Sequence, residues 1–335
     1  LAIDWLGATG ERVRYAEEYK KWHHSLKGKR NPREINFSST VAGEISAEMQ
    51  QLRSSFGYEM PFKTISIRSS KSKMDRKMDD SEDGILVTMC TYEGGFSTVN
   101  EAVSSLLHGQ TVSISRLKLT INGEKMPEDL PKDSRLEVIL STQDVTDRGK
   151  FIQIGGHEGF VITADDDILY PHDYVETMID HVEEFGRKAL IGVHGAHIPE
   201  GPPITRWWEY MNYRRSIVFH QEIPEYMPVN VIGTGTLAFH TCAGVPDSDS
   251  FDYQRMVDLH LAVWAQKREI PMIICPRRRD WLQEINSGYI GRIWDSAKED
   301  GALQHKMLEV LQRSERWTLY ADREWGEFAH SGVTA

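Results

Sequence analysis

An α/β domain with a mostly parallel sheet is the fold this sequence predicts, and three observations predict it. From Gly84 onward, short apolar runs alternate with stretches of helical periodicity. The runs are continuous rather than alternating, the pattern of strands buried on both faces. An acidic triplet, Asp165-Asp166-Asp167, stands directly behind one of them, at the strand end where α/β sheets present ligands.

The elements follow in order. Ile85 to Cys90 is the first apolar strand, and Val99 to Leu107 reads as helix. Leu117 to Ile121 is a second strand ending at Asn122-Gly123, Leu136 to Leu140 a third, and Phe160 to Thr163 a fourth. Asp173 to Phe185 is an amphipathic helix, with Val175, Met178, Ile179 and Val182 at spacings of three and four. Ala189 to Val193 follows as a strand, and Gly301 to Trp317 is a last amphipathic helix carrying Leu303, Met307 and Leu311.

Residues 1–80 differ in character. Glu11 to Lys27 and Val41 to Phe56 have helical periodicity, and a basic cluster runs from Lys20 to Arg33. Ser69 to Gly84 is polar and lacks apolar periodicity, as a linker does. Three segments are therefore expected: a helical extension with its linker (1–80), a catalytic α/β domain (81–297) and a helical carboxy-terminal segment (298–335). The extension would serve attachment, through self-association, contact with an anionic polymer or a peripheral contact at the inner face of a membrane. A helical layer packed on the sheet is the alternative.

The chain carries 39 basic and 50 acidic residues, a net charge of −11. That balance argues against a general nucleic-acid binder and fits an enzyme that handles an anionic ligand through a local cation. Cys90, Cys242 and Cys275 are three in number and far apart, which suggests free thiols rather than disulfides or a zinc site. No run approaches the length of a membrane span, so a reducing, cytoplasmic compartment is expected.

Three adjacent carboxylates repel one another unless a cation or many hydrogen bonds compensate. Hard cations such as Mn²⁺ or Mg²⁺ take oxygen ligands and bridge carboxylates to a diphosphate. A solvated acidic turn is the plain alternative, which the buried strand before the triplet and Tyr170-Pro171 after it make less apt. Asp147-Arg148-Gly149-Lys150 offers a cation for phosphate and an acid for base or ribose, or is a charged turn. Gly233-Thr234-Gly235-Thr236 allows backbone to approach a sugar, or is a tight turn. Asp258 is flanked by apolar residues, where a lone acid is usually a paired structural group.

In this order the segments resemble the α-N-acetylglucosaminyltransferases of bacterial heparosan capsule synthesis, which have the GT-A (nucleotide-diphospho-sugar transferase) fold. The resemblance covers about residues 84–297. It rests on Asn122 with Pro127-Glu128-Asp129-Leu130, on Asp147 to Phe151, on Asp165 to Pro171 and on Asp173 to Glu176. Gly192 to Gly195, Gly233 to Thr236, Val257-Asp258, Cys275-Pro276-Arg277, Trp281-Leu282, Ser287-Gly288 and Trp294 complete it. It implies a UDP-sugar donor, N-acetylglucosamine first, a glycan or polysaccharide acceptor, and retention of configuration.

The resemblance also implies roles. One or both of Asp165 and Asp167, Asp167 first, would hold Mn²⁺ or Mg²⁺ on the donor diphosphate, Asp165 reaching the ribose or the metal, with Asp166 beside the donor. Thr91 and Tyr92 would line the uridine pocket, near Asn122 and Asp147, and Lys150 would touch the nucleotide. His194, Gly235 and Thr236 would face the transferred sugar, and Asp258 would stand beside the reacting carbon. The Arg277-Arg278-Arg279 run with Trp281 would form a flap over diphosphate and acceptor. Where the family follows its first-strand Tyr with Pro-Pro-Arg, this chain has Glu93-Gly94-Gly95, which removes a cation and adds an anion. A non-catalytic glycan- or partner-binding domain and a metal-dependent nucleotidyl- or phosphotransferase are the competing readings.

Overall fold

In the computed structural model, the residues described are 84–198, 204–252, 255–285, 300–314 and 317. The expected helices in residues 1–80, the linker, and Ser287, Gly288 and Trp294 lie outside them. The central feature is an eight-stranded sheet of order β3-β2-β1-β4-β11-β6-β12-β9. Its strands are β1 (Gly84–Tyr92), β2 (Arg116–Asn122), β3 (Leu136–Ser141), β4 (Gly159–Ala164), β6 (Leu190–Gly192), β9 (Met227–Pro228), β11 (Thr236–His240) and β12 (Met272–Ile274). The pairs β1–β2, β2–β3, β1–β4 and β6–β12 are parallel. Strand β11 runs antiparallel between β4 and β6, and β9 runs antiparallel at the edge. The fold is thus mixed α/β with a mostly parallel sheet, and those two reversals are what the periodicity did not announce.

Alternate residues of the inner strands feed two apolar clusters. Phe160, Ile162 and Ala164 of β4 join Ile273 of β12 in one, with helices α1 (Phe96–Leu107) and α3 (Tyr174–Glu184). Val161 joins Met272 and Ile274 in the other, with α5 (Val257–Lys267) and α6 (Gly301–Leu311). This is why the strands read as unbroken apolar runs: helices cover both faces. Val99, Ala102, Val103 and Leu106 form the buried stripe of α1, and Val175, Met178, Ile179 and Val182 that of α3, each at i, i+3, i+4, i+7. Each buried Val, Ile or Met on these stripes contributes roughly 1.5–3 kcal/mol. After α3, Gly186 takes φ 58°, and the Arg187 amide reaches back 3.0 Å to the Val182 carbonyl, which closes the helix. The Asp300 carboxylate caps α6 by accepting from the amides of Ala302 (2.9 Å) and Leu303 (3.0 Å). That helix ends at Leu311, short of the expected Trp317.

Smaller elements complete the domain. A short helix, α2 (Gly149–Ile152), precedes β4, and α4 (Trp207–Tyr213) lies between β7 (Gly195–His197) and β8 (Arg215–Ile217). Strands β7 and β8 form a three-stranded sheet with β10 (Val231–Ile232). Strand β5 (Ile168–Leu169) pairs with β13 (Gln283–Glu284). Among the described residues no helix is long and apolar enough to cross a membrane.

Candidate functional site

Topology decides where the site is. From β1 the chain builds outward through β2 and β3, then returns to place β4 on the other side of β1. Such a reversal opens a crevice beyond the carboxyl ends of the two strands, where α/β sheets bind ligands. Thr88 pairs with Thr163 and Met89 with Ala164, so the register carried two residues further sets Thr91 beside Asp166. Their side chains do meet, the Thr91 hydroxyl donating to Asp166 Oδ2. Antiparallel β11 enters at this same edge, because Thr236 pairs with Ala164. The Gly233–Gly235 turn before it therefore lies against the acidic triplet, and the Asp165 amide donates to the Gly235 carbonyl at 3.1 Å. His194 follows the end of β6, and Arg277 follows that of parallel β12.

The three acids have different surroundings. Asp165 forms an ion pair with Lys150, whose side chain is only 6% exposed. Asp166 is buried at 5% exposure and turned into the sheet toward Thr91. Asp167 is half-buried, and its carbonyl accepts the Ile285 amide at 2.8 Å, so β13 pins the turn. Tyr170 fastens the triplet from beneath: its hydroxyl accepts from the Asp165 amide at 2.7 Å and donates to the Gly235 carbonyl at 2.8 Å. Gly235 has to be glycine, since a Cβ there would run into the Asp165 carboxylate. Gly95 has the same reason, because its Cβ would strike Asp166 and Thr91. The Glu93-Gly94-Gly95 departure thus includes a residue that the buried Thr91–Asp166 pair requires.

Burial pushes the Asp166 carboxyl up to about 7, aided by the charges of Asp167 and Asp165 and opposed by the Thr91 hydrogen bond. For Asp165 burial acts the same way, yet the charge and hydrogen bond of Lys150 override it and hold the acid below the usual range. Burial would lower the Lys150 amine, but Asp165 first, then Asp258 and Asp147, raise it above the ordinary lysine value. Lys150 is therefore a fixed positive charge facing three carboxylates. Burial lowers His194, so the imidazole is neutral at pH 7, with Nδ1 2.8 Å from the Thr236 hydroxyl.

Asp258 lies in the first turn of α5. Its Oδ1 accepts from both the amide (2.9 Å) and the hydroxyl (2.8 Å) of Thr234. Thr234 and Tyr170 stand in motifs the sequence marks, but it assigns no role to their side chains, because the contacts to Asp258 and Gly235 are made only in the fold.

Other expected residues have internal partners. Asp147 accepts from the amides of Arg255 and Val257 (3.1 Å each) and so holds the start of α5; burial raises its pKa. The Asn122 amide nitrogen donates to the Thr146 carbonyl (3.1 Å), and its oxygen accepts from the Val145 amide (3.0 Å). The Arg277 guanidinium is buried and donates to the carbonyls of Val218 (2.8 Å) and Phe219 (3.2 Å). Trp281, expected on a flap, is a core residue: its ring packs on Tyr174, and its N–H donates to Asp173 at 2.9 Å. Arg278 is exposed, and Tyr92 is half-buried at the end of β1.

Beside the ends of β1 and β2 a cleft of about 520 Å³ opens, lined by Glu93, Phe96, Asn100, Lys125, Met126 and Asp129. Lys125 reaches Glu93 at 2.6 Å across its mouth, so a cation stands near the acid that the sequence introduces there. Both side chains are exposed, and such a pair is worth about 0–1 kcal/mol, easily opened by a ligand.

Compared with models of known protein families and with curated proteins, the chain matches none. The functional argument therefore rests on the site itself.

Proposed function

We propose that this chain is a glycosyltransferase of GT-A fold that moves a sugar, N-acetylglucosamine first, from a UDP-sugar to a glycan or polysaccharide acceptor. The observation that carries the reading is a convergence at one switch point of the sheet. There the Asp165–Asp167 triplet, buried Lys150, the Gly233–Thr236 turn, His194 and Asp258 come together from five separate segments. Breaking a sugar–diphosphate bond builds negative charge on the leaving oxygen and positive charge at the sugar carbon. A site with a fixed ammonium on one side and a held carboxylate on the other answers both.

A divalent metal fits this donor set in a limited way. Among the described residues no three His, Cys, Asp or Glu side chains form a ready-made cluster. Mg²⁺-type sites commonly use only one or two carboxylates and complete their shell with substrate phosphate and water. Asp167, with Asp165, would hold Mn²⁺ or Mg²⁺ in that manner, as an ion that arrives with the diphosphate. When bound it would offset charge on the leaving phosphate. Lys150 does part of that work without it, by holding a positive charge at the same edge. Asp258 would stabilise the sugar carbon or orient the acceptor if configuration is retained, which the sequence resemblance implies.

One observation favours a second reading. Because Lys150 already neutralises Asp165, the crevice is suited to hold a nucleotide or glycan without transferring anything. A donor screen separates the two: release of UDP from labelled UDP-sugars, with Mn²⁺ and with chelator. Turnover of at least one UDP-sugar that depends on Mn²⁺ is expected. UDP binding without turnover of any donor, with or without acceptor glycans, would leave only the binding domain.

A further inference from the structure

The Asp258 carboxylate is held by one residue on one oxygen. Both of its hydrogen bonds, from the Thr234 amide at 2.9 Å and the Thr234 hydroxyl at 2.8 Å, end on Oδ1. Oδ2 has no hydrogen-bond partner among the described residues. Thr234 is itself fixed from behind, because the buried Thr163 hydroxyl of β4 donates to the Thr234 carbonyl. Thr234 is only 2% exposed, so its hydroxyl has no competing water. On either side Gly233 and Gly235 carry no side chain that would displace His194 or Asp165. The chain of contacts runs from strand β4 through Thr163 and Thr234 to the first turn of α5. Two amides in that stretch are also tied at 3.1 Å to Asp147, those of Arg255 and Val257, which fixes the helix start from the other direction.

We infer that Thr234 is a positioning residue that orients Asp258 so that its second oxygen faces the reacting sugar. This inference rests on the glycosyltransferase reading of the same crevice. Two donors on the lone pairs of one oxygen restrict the rotation of the carboxylate more than the amide bond alone does. A side chain with no purpose beyond filling space would need no hydroxyl here, since valine has the same shape. Misorientation of a reacting group by about an ångström costs on the order of a hundredfold in rate while leaving donor binding largely intact.

The test compares Thr234→Val and Thr234→Ser with the wild-type chain, using the UDP-sugar that the wild type turns over. Thr234→Val removes the hydroxyl and keeps shape and amide, and Thr234→Ser restores the donor. The expected result is a fall in kcat of at least tenfold for the valine variant. Donor KM and calorimetric UDP affinity should stay within about twofold, and serine should return kcat to within about threefold of wild type. Unchanged kcat in the valine variant overturns the inference. So does a loss of kcat that comes with an equal loss of UDP affinity or is not rescued by serine, because that is the pattern of a general structural defect. A wild-type chain that turns over no donor removes the glycosyltransferase reading itself, and the inference with it.

Discussion

Replacing Asp166 by Asn tests the account of the buried acid quantitatively. Asp166 is 5% exposed and hydrogen bonded by Thr91, and its carboxyl is pushed from the ordinary 3.8 to about 7. The folded-state value lies above the unfolded one, so the native chain holds this proton more tightly. The resulting stabilisation is fully present below pH 3.8, declines as pH rises, and is gone above about 7. With these two values, linkage gives a contribution that falls by roughly 2–3 kcal/mol between pH 5 and pH 8. Asp166→Asn has the same shape and no proton to exchange, so it lacks this contribution at every pH. Asp147 and His194, also perturbed by burial, are present in both proteins and cancel in the difference. The assay is urea unfolding of wild type and variant at pH 5 and pH 8, in excess chelator, with stability extrapolated to zero urea. Wild type should gain roughly 2–3 kcal/mol on the variant when the pH is lowered from 8 to 5. Stability–pH curves that run parallel would refute the claim that Asp166 is buried as an acid and turned away from solvent.

Two further substitutions probe the joint between the triplet and the glycine turn. Tyr170→Phe removes one partner from the Asp165 amide and one from the Gly235 carbonyl, which still bond each other, and should lower unfolding stability by about 0.5–1.5 kcal/mol, read by the same urea titration. Gly235→Ala puts a methyl group against the Asp165 carboxylate and must displace it from Lys150, so UDP affinity measured by calorimetry should fall by about tenfold or more; unchanged affinity would show that Asp165 and Lys150 lie outside the nucleotide site.

How much of this was legible beforehand depends on the range over which each signal acts. The strands Ile85–Cys90 and Phe160–Thr163 could be read because helices on both faces demand apolar residues at consecutive positions, a pattern complete within six residues. The stripes of α1 and α3 were legible for the same local reason. Strands β5, β9 and β10 could not be read, since two residues carry no period. Nor could the reversal of β11: Leu237-Ala238-Phe239 is equally apolar whether it runs with or against its neighbours.

The residues around the crevice show a subtler limit. Chemical type drew attention to Asp147, and the family resemblance to Asn122, Arg277 and Trp281, but neither says which way a side chain is used. A carboxylate suited to a ribose is equally suited to the start of a helix, and Asp147 is bonded to the amides of Arg255 and Val257, over a hundred residues away, at the start of α5. Indole that can cover a sugar can also fill a core when an acid such as Asp173 takes its N–H, as happens at Trp281. Conversely, Thr234 and Tyr170 stand in noted motifs with no role given to their side chains, yet one grips Asp258 and the other joins Asp165 to Gly235. What separates the two groups is pairing across the sheet edge, which depends on the register of β11 on β4. That register brings Thr236 opposite Ala164; a slip of one residue would move Gly235 off Asp165, put a Cβ in its place and turn every β11 side chain to the opposite face. The glycine that accommodates Asp165 and the apolar alternation of β11 therefore impose the same constraint, so the packing that stabilises the sheet also sets the geometry of the crevice.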